Sequence, residues 1–156
     1  RRPLQGTMPV ARQSRFHGIH WVRARAPERR GGGMIPMRVV DSITELQPAD
    51  AGCTALSGSH GGLSSARYAL AVRPLLSVFN DAGVGKDAAG VAGLALLQAQ
   101  GLAACTVSHT SACIGQAAST LAYGVVSHAN AAALELGIEP GRSLKAQIHL
   151  LQRRHP

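Results

Sequence analysis

Three polar, glycine-bearing stretches of this sequence carry residue types and spacings that could do chemistry. The first is Ser57-Gly58-Ser59-His60-Gly61-Gly62. Glycines let a backbone turn sharply and leave N–H groups free to face a ligand, and here a serine and a histidine stand among them. Small residues two positions either side of Ser59 give the pattern of a nucleophile elbow, whose tight strand-to-helix turn has no room for larger ones. Ser57 replaces the usual first glycine, and Gly61 matches the second. On this basis Ser59 is the expected nucleophile, with His60 or His109 as base and Asp81 orienting it. Backbone amides near Gly61 and Gly62 would hold the oxyanion. The plainer alternative is a turn whose hydroxyls cap the following helix.

The second stretch runs from Asn80 to Ala88. Its Gly83-Val84-Gly85-Lys86-Asp87-Ala88 fits G-x-G-x-x-G/A, but no Asp or Glu occurs between Asp87 and Glu135 to hold a ribose. It is not a P-loop, because Asp87 stands where Ser or Thr should follow Gly-Lys. Asn80 is expected to contact substrate and Lys86 to neutralise a substrate anion, unless the loop is simply a turn with a solvated lysine. The third stretch, Ser108-His109-Thr110-Ser111-Ala112-Cys113, offers His109 as base and Cys113 as a substrate contact or second nucleophile. A thiol near a helix N-terminus can become reactive, although a buried, inert thiol is the plainer expectation for Cys113. The order Ser59, Asp81, His109 resembles that of the α/β-hydrolases, while the α/β part of this chain is only about 100 residues, short of the usual hydrolase domain. His60, Asp81, His109 and His128 lack the close spacing of a zinc site, and neither metal nor cofactor is expected.

These loops need elements to position them. Apolar runs predict strands at Met37–Val40, Cys53–Ser57, Leu75–Phe79 and Leu102–Val107. Helices are predicted over Leu63–Val72, over Ala88–Gln100 with Asp87 as N-cap, and over Gln116–Tyr123 and Ser127–Leu136 around a break at Gly124. Ser143 should cap a last helix, with Leu144, Ile148 and Leu151 on one face. Strand, loop and helix repeated three times predict an α/β fold: a small three-layer, Rossmann-like domain with a short, mostly parallel sheet. The domain is expected at 37–141, with a C-terminal helix or tail at 142–156. Ligands bind such folds at the carboxyl ends of the strands, where all three polar loops fall.

The net charge of +8 does not belong to that domain. Residues 1–38 hold nine arginines against Glu28 alone, whereas residues 39–156 hold seven basic and seven acidic side chains. Segment 1–36, with scattered prolines and no period, is expected to be disordered or loosely attached. A nucleic-acid arm or an Arg-rich transit peptide are alternatives, but nothing in it resembles a base-reading motif and nucleic acid is not an expected partner. Arg29-Arg30-Gly31-Gly32-Gly33 is also what a translated ribosome-binding sequence gives, so synthesis is expected to begin at Met34 or Met37.

Cys53, Cys105 and Cys113 are odd in number and lack CxxC spacing, which fits a reducing, cytoplasmic setting. From Ala88 through Leu134 there is no charged side chain. A membrane span is not expected, since a helix over Ala88–Gln100 would be roughly 20 Å long against a bilayer core of about 30 Å. Burial between copies explains the deficit better, and a homo-oligomer is expected. The GSHGG, FNDAGVGKD and SHAN elements between Ser57 and Gly141 resemble a small group of uncharacterised bacterial α/β proteins, a resemblance that implies no activity. The leading function is a small-molecule hydrolase of an ester, lactone or amide bond. A binding module for a phosphorylated or carboxylated ligand, or an interaction subunit, is the alternative.

Overall fold

In a computed structural model the described residues are 33–154, so the expectations for segment 1–36 lie outside them except at its last four positions. Of these, Ile35 is buried, and its carbonyl accepts a hydrogen bond from Gln152 Nε2 at 2.9 Å. Five strands form one sheet in sequence order: β1 (Met37–Val40), β2 (Thr54–His60), β3 (Leu76–Asn80), β4 (Ala103–Val107) and β5 (Val126–Ala129). The first four are parallel and β5 is antiparallel to β4. Strands β3 and β4 are buried along their whole length, as central parallel strands covered on both faces must be.

Helices cover both sides. On one face α1 (Leu63–Val72) and α2 (Gly93–Ala99) pack Ala66, Ala69, Leu94 and Leu97 against Ala55, Phe79 and Ala104. On the other face α4 (Ala131–Glu135) and α5 (Leu144–Arg154) pack Ala133, Leu144, Ile148 and Leu151 against Leu56, Val78 and Cys105. Leu121 of α3 (Ala117–Tyr123) joins this second cluster. Alternate residues of each strand therefore feed opposite cores. The three-layer α/β architecture read from the sequence is the one observed. Helix α5 is part of it rather than a tail, with Leu144, Ile148 and Leu151 all buried and Ser143 Oγ accepting from the Ala146 N–H at 3.3 Å.

Two expectations are corrected. The helix over Ala88–Gln100 begins only at Gly93, and Asp87, at φ +55°, lies inside a short 3-10 turn rather than at an N-cap. The cause is the loop ahead of it. Gly90 donates to the Val84 carbonyl at 2.7 Å, and a Cβ on Gly90 would lie 2.0 Å from the Asp81 carbonyl oxygen. The chain must finish that tight closure before it can coil. The second correction concerns Ser127–Leu136, whose first residues belong to β5. Val125 and Val126 favour extended backbone, and the edge of β4 offers the pairing. Asn130 then starts α4, its side chain accepting from the Ala133 N–H at 2.9 Å.

Candidate active site

The connections leaving β3 and β4 part company. After β3 the chain passes to α2 on one face, and after β4 it crosses to α3 on the other. Adjacent parallel strands whose connections diverge leave a crevice at their carboxyl ends, where ligands of such sheets bind. Asp81 is the first residue beyond β3, and His109 the second beyond β4. The Asp81 N–H donates to the Val107 carbonyl at 2.9 Å, which carries sheet pairing one residue past β3 and aims the side chain across the crevice.

There Asp81 Oδ1 accepts from the Gly83 N–H at 2.9 Å, the His109 N–H at 3.0 Å and His109 Nδ1 at 3.2 Å. The carboxylate is almost enclosed, with 6% of its side chain exposed, whereas the imidazole is 55% exposed. Burial pushes the Asp81 pKa up. Hydrogen bonds from Gly83, the Ser127 hydroxyl, and the backbone and ring of His109 outweigh it, and the carboxyl lies below its ordinary value. An anion that accepts the Nδ1 proton fixes the neutral ring in the tautomer whose bare Nε2 serves as a base. His109 also lines an open cleft of about 570 Å³ with Thr110, Ser111, Cys113, Gln116 and Tyr123.

Cys113 is exposed in this cleft, against the expectation of a buried thiol, because the turn from Ser108 to Gln116 carries it away from the sheet. Cys53 and Cys105 are buried, and burial pushes the Cys105 thiol up to about 12.

The β2 stretch differs from its expected form. Ser59 lies within β2, two residues before the Gly61-Gly62 turn, and lacks the left-handed backbone of an elbow nucleophile. Its hydroxyl accepts from the Ile43 N–H at 2.9 Å, and among the described residues it bonds no histidine or carboxylate. The chain bulges here, with Leu56 opposite Val78 but His60 opposite Asn80. Gly58 fills the bulge, where a Cβ would meet the Gln116 nitrogen at 2.4 Å. The Gly61 N–H donates to the Asn80 carbonyl at 2.9 Å and the Gly62 N–H to His60 Nδ1 at 3.0 Å. The amides expected to hold an oxyanion are thus already engaged, and the exposed His60 is turned onto its own turn. Asn80 is fully buried and structural, donating to the Ala112 carbonyl at 3.0 Å and accepting from the Ala82 N–H at 2.9 Å. Lys86 is exposed and makes no ion pair among the described residues.

Of the nine residues singled out from the sequence, Asp81 and His109 are joined directly, and Cys113 shares their cleft. Three further residues form a hydrogen-bonded group of their own on β4 and β5. Ser127 and Thr106 place their hydroxyls 2.9 Å apart, and His128 Nδ1 lies 3.2 Å from the first and 3.3 Å from the second. The Val-Val step ahead of Ser127 was the signal that these residues lie on a strand. Among the described residues no helix is long and apolar enough to cross a membrane, and no group of three His, Cys, Asp or Glu side chains is disposed to hold a metal. No family model, curated protein or solved structure matches this chain.

Proposed function

We propose that this chain is a small-molecule hydrolase acting on an ester, lactone or amide bond, with the Asp81–His109 pair as its oriented general base. The observation that supports it is the 3.2 Å contact between a buried carboxylate and an imidazole that opens onto a cleft along the connection from β4 to α3. His109 Nε2 takes the proton of the attacking group, Asp81 stabilises the imidazolium, and the proton passes to the leaving oxygen or nitrogen. The Cys113 thiol, exposed in the same cleft, is the attacking group the geometry favours over Ser59. Its thiolate would form a thioester that water then cleaves, returning the thiol. Turnover of a panel of p-nitrophenyl esters, lactones and anilides tests the reading. Asp81→Asn and His109→Gln should each lower it by about 10²–10⁴-fold, and full activity in either variant would sink it. Cys113→Ser separates thiol attack from attack by a water that His109 activates.

A second reading rests on the loop after β3. Ala82, Val84, Asp87 and Ala88 all have φ between +52° and +66°, unusual for residues with side chains. The N–H groups of Lys86, Asp87 and Ala88 bond nothing among the described residues. Such a loop, with the Lys86 ammonium, could bind a phosphorylated or carboxylated ligand without turnover. Phosphate binding that Lys86→Ala removes and Asp81→Asn spares would favour it. We also infer self-association through the charge-free stretch 88–134, which leaves Ile114, Tyr123 and Leu134 exposed. A monomer by sedimentation at micromolar concentration would rule that out.

A further inference from the structure

We propose that Asn80 is a positioning residue, which fixes the Cys113 thiol relative to the Asp81–His109 pair by gripping the turn that joins them. The inference rests on the reading in which His109 activates that thiol.

The turn from His109 to Ala112 is attached to the end of β3 twice, by consecutive residues. At its start the His109 N–H and Nδ1 reach Asp81 Oδ1 at 3.0 Å and 3.2 Å. At its close the Ala112 carbonyl accepts from Asn80 Nδ2 at 3.0 Å. Cys113 is the next residue. The base and the thiol thus flank one short turn, with one end held by Asp81 and the other by Asn80.

The Asn80 amide has a single workable orientation. Its Oδ1 accepts from the Ala82 N–H at 2.9 Å, so its nitrogen must face the Ala112 carbonyl. Turning the group over would set oxygen against oxygen and N–H against N–H. The frame behind it is rigid. Asn80 is fully buried, its carbonyl accepts from the Gly61 N–H at 2.9 Å, and it lies between His60 on β2 and Val107 on β4. A buried amide with both ends engaged specifies its neighbours closely, because each bond is costly to break there.

The remaining bonds of the thiol loop serve its far side. The Cys113 N–H donates to Ser119 Oγ at 3.0 Å, the Gly115 N–H to the Gly58 carbonyl at 2.7 Å and the Ala117 N–H to Asp41 Oδ1 at 3.0 Å. These hold the loop to α3, to β2 and to the residue after β1. Without the Nδ2 donor, the Ala112 carbonyl would turn toward solvent for a partner, and Cys113 would move with it.

Alkylation of Cys113 by iodoacetamide in the native full chain at pH 7, read by mass spectrometry, measures the thiol–base coupling without any substrate. In the wild type His109→Gln should slow it several-fold, because the ring no longer takes the thiol proton. In an Asn80→Leu background, similar in size but without a donor, His109→Gln should change the rate little, so that the two effects do not add. Turnover of Asn80→Leu should fall through kcat by about 10²-fold with KM within about threefold, the cost of misplacing reacting groups by about 1 Å. Asn80→Ser, too short to reach Ala112, answers the same question if the leucine variant does not fold. In Asn80→Asp, burial and the neighbouring Asp81 anion keep the new carboxyl protonated at pH 7. Its O–H then replaces Nδ2–H, and the coupling should return. A purely stabilising role would lower the urea midpoint of Asn80→Leu or Asn80→Ser and leave the coupling intact, which overturns the inference. An Asn80→Asp variant as uncoupled as these also overturns it, and so does wild-type alkylation that His109→Gln leaves unchanged. If no ester, lactone or amide is cleaved while the coupling responds as expected, the hydrolase reading fails and the positioning role stands. If turnover needs Asp81 and His109 but the coupling ignores Asn80, the hydrolase reading stands and the positioning role fails.

Discussion

The carboxyl ends of β2 and of β3–β4 are similar in composition and opposite in use. Both bring a hydroxyl, a histidine and glycines to one edge of the sheet. At the end of β2 each polar group is consumed by nearby backbone: Ser59 by Ile43, His60 by Gly62, and Gly61 by Asn80. At the ends of β3 and β4 the side chains bond one another instead, and His109 keeps one nitrogen for solvent. Polar residues at a strand end stay open to a ligand when their partners are other side chains and one face remains exposed. Residue type alone does not make that distinction.

The sharpest way to break the comparison is to exchange the two ends. Asp81→Asn should lower turnover by about 10²–10⁴-fold, since an amide cannot hold the imidazole in the working tautomer or stabilise its charged form. Ser59→Ala should leave turnover within about twofold, the bond it loses lying outside the reacting pair. A Ser59→Ala variant as impaired as Asp81→Asn would return the nucleophile to β2.

Thiol labelling is a second, strongly graded contrast. Iodoacetamide should modify Cys113 in the native protein, while Cys53 and Cys105 react only after unfolding, because burial shields both and keeps Cys105 protonated up to about pH 12. Mass spectrometry of native and urea-unfolded samples reads this. Native labelling of either buried thiol would contradict the packing.

Smaller effects concern stability. Ser59→Ala should cost about 1 kcal/mol in urea unfolding by leaving the Ile43 N–H without its acceptor. No change would mean that water replaces the hydroxyl. Asp81 supplies a pH-dependent part. Its folded pKa lies below the ordinary 3.8, so its contribution is fully present above that value and is lost as pH falls through the folded pKa. The stability gap between wild type and Asp81→Asn should therefore shrink between pH 6 and pH 3. A gap that widens on acidification would reverse the assigned shift.

Much of the fold was legible because parallel strands buried on both faces must be apolar throughout, and runs such as Leu76–Phe79 and Ala103–Val107 have no other use. The pairing of Asp81 with His109 was legible in kind, since both sit just past strand ends that parallel topology brings together. The fate of Ser59 was not, because its partner is a backbone N–H sixteen residues upstream, and the Ser42–Glu45 capping box that marks that 3-10 turn does not say what the Ile43 N–H will meet. Ser127 was missed as a strand residue for a different reason. Ser-His-Ala-Asn suits a helix as well as an edge strand, and its place in β5 depends on an unpaired neighbour.

Laying down parallel strands in chain order also bears on how the two cores come into being. The core beneath α1 and α2 draws on neighbouring stretches up to Ala104, so closing it needs only short excursions of the chain. The opposite core is sealed by α5, whose Gln152 grips the Ile35 carbonyl across 117 residues of chain. Short closures precede long ones where nothing else intervenes, and the α1–α2 side should gain solvent protection first. Pulse-labelled amides of Ala66 and Ala69 would then be shielded before those of Ile148 and Leu151, whereas simultaneous shielding would mean that the two sides condense as one unit. Until α5 docks, the far side of the sheet is a bare apolar surface, and during that interval the molecule is most exposed to capture by another copy of itself.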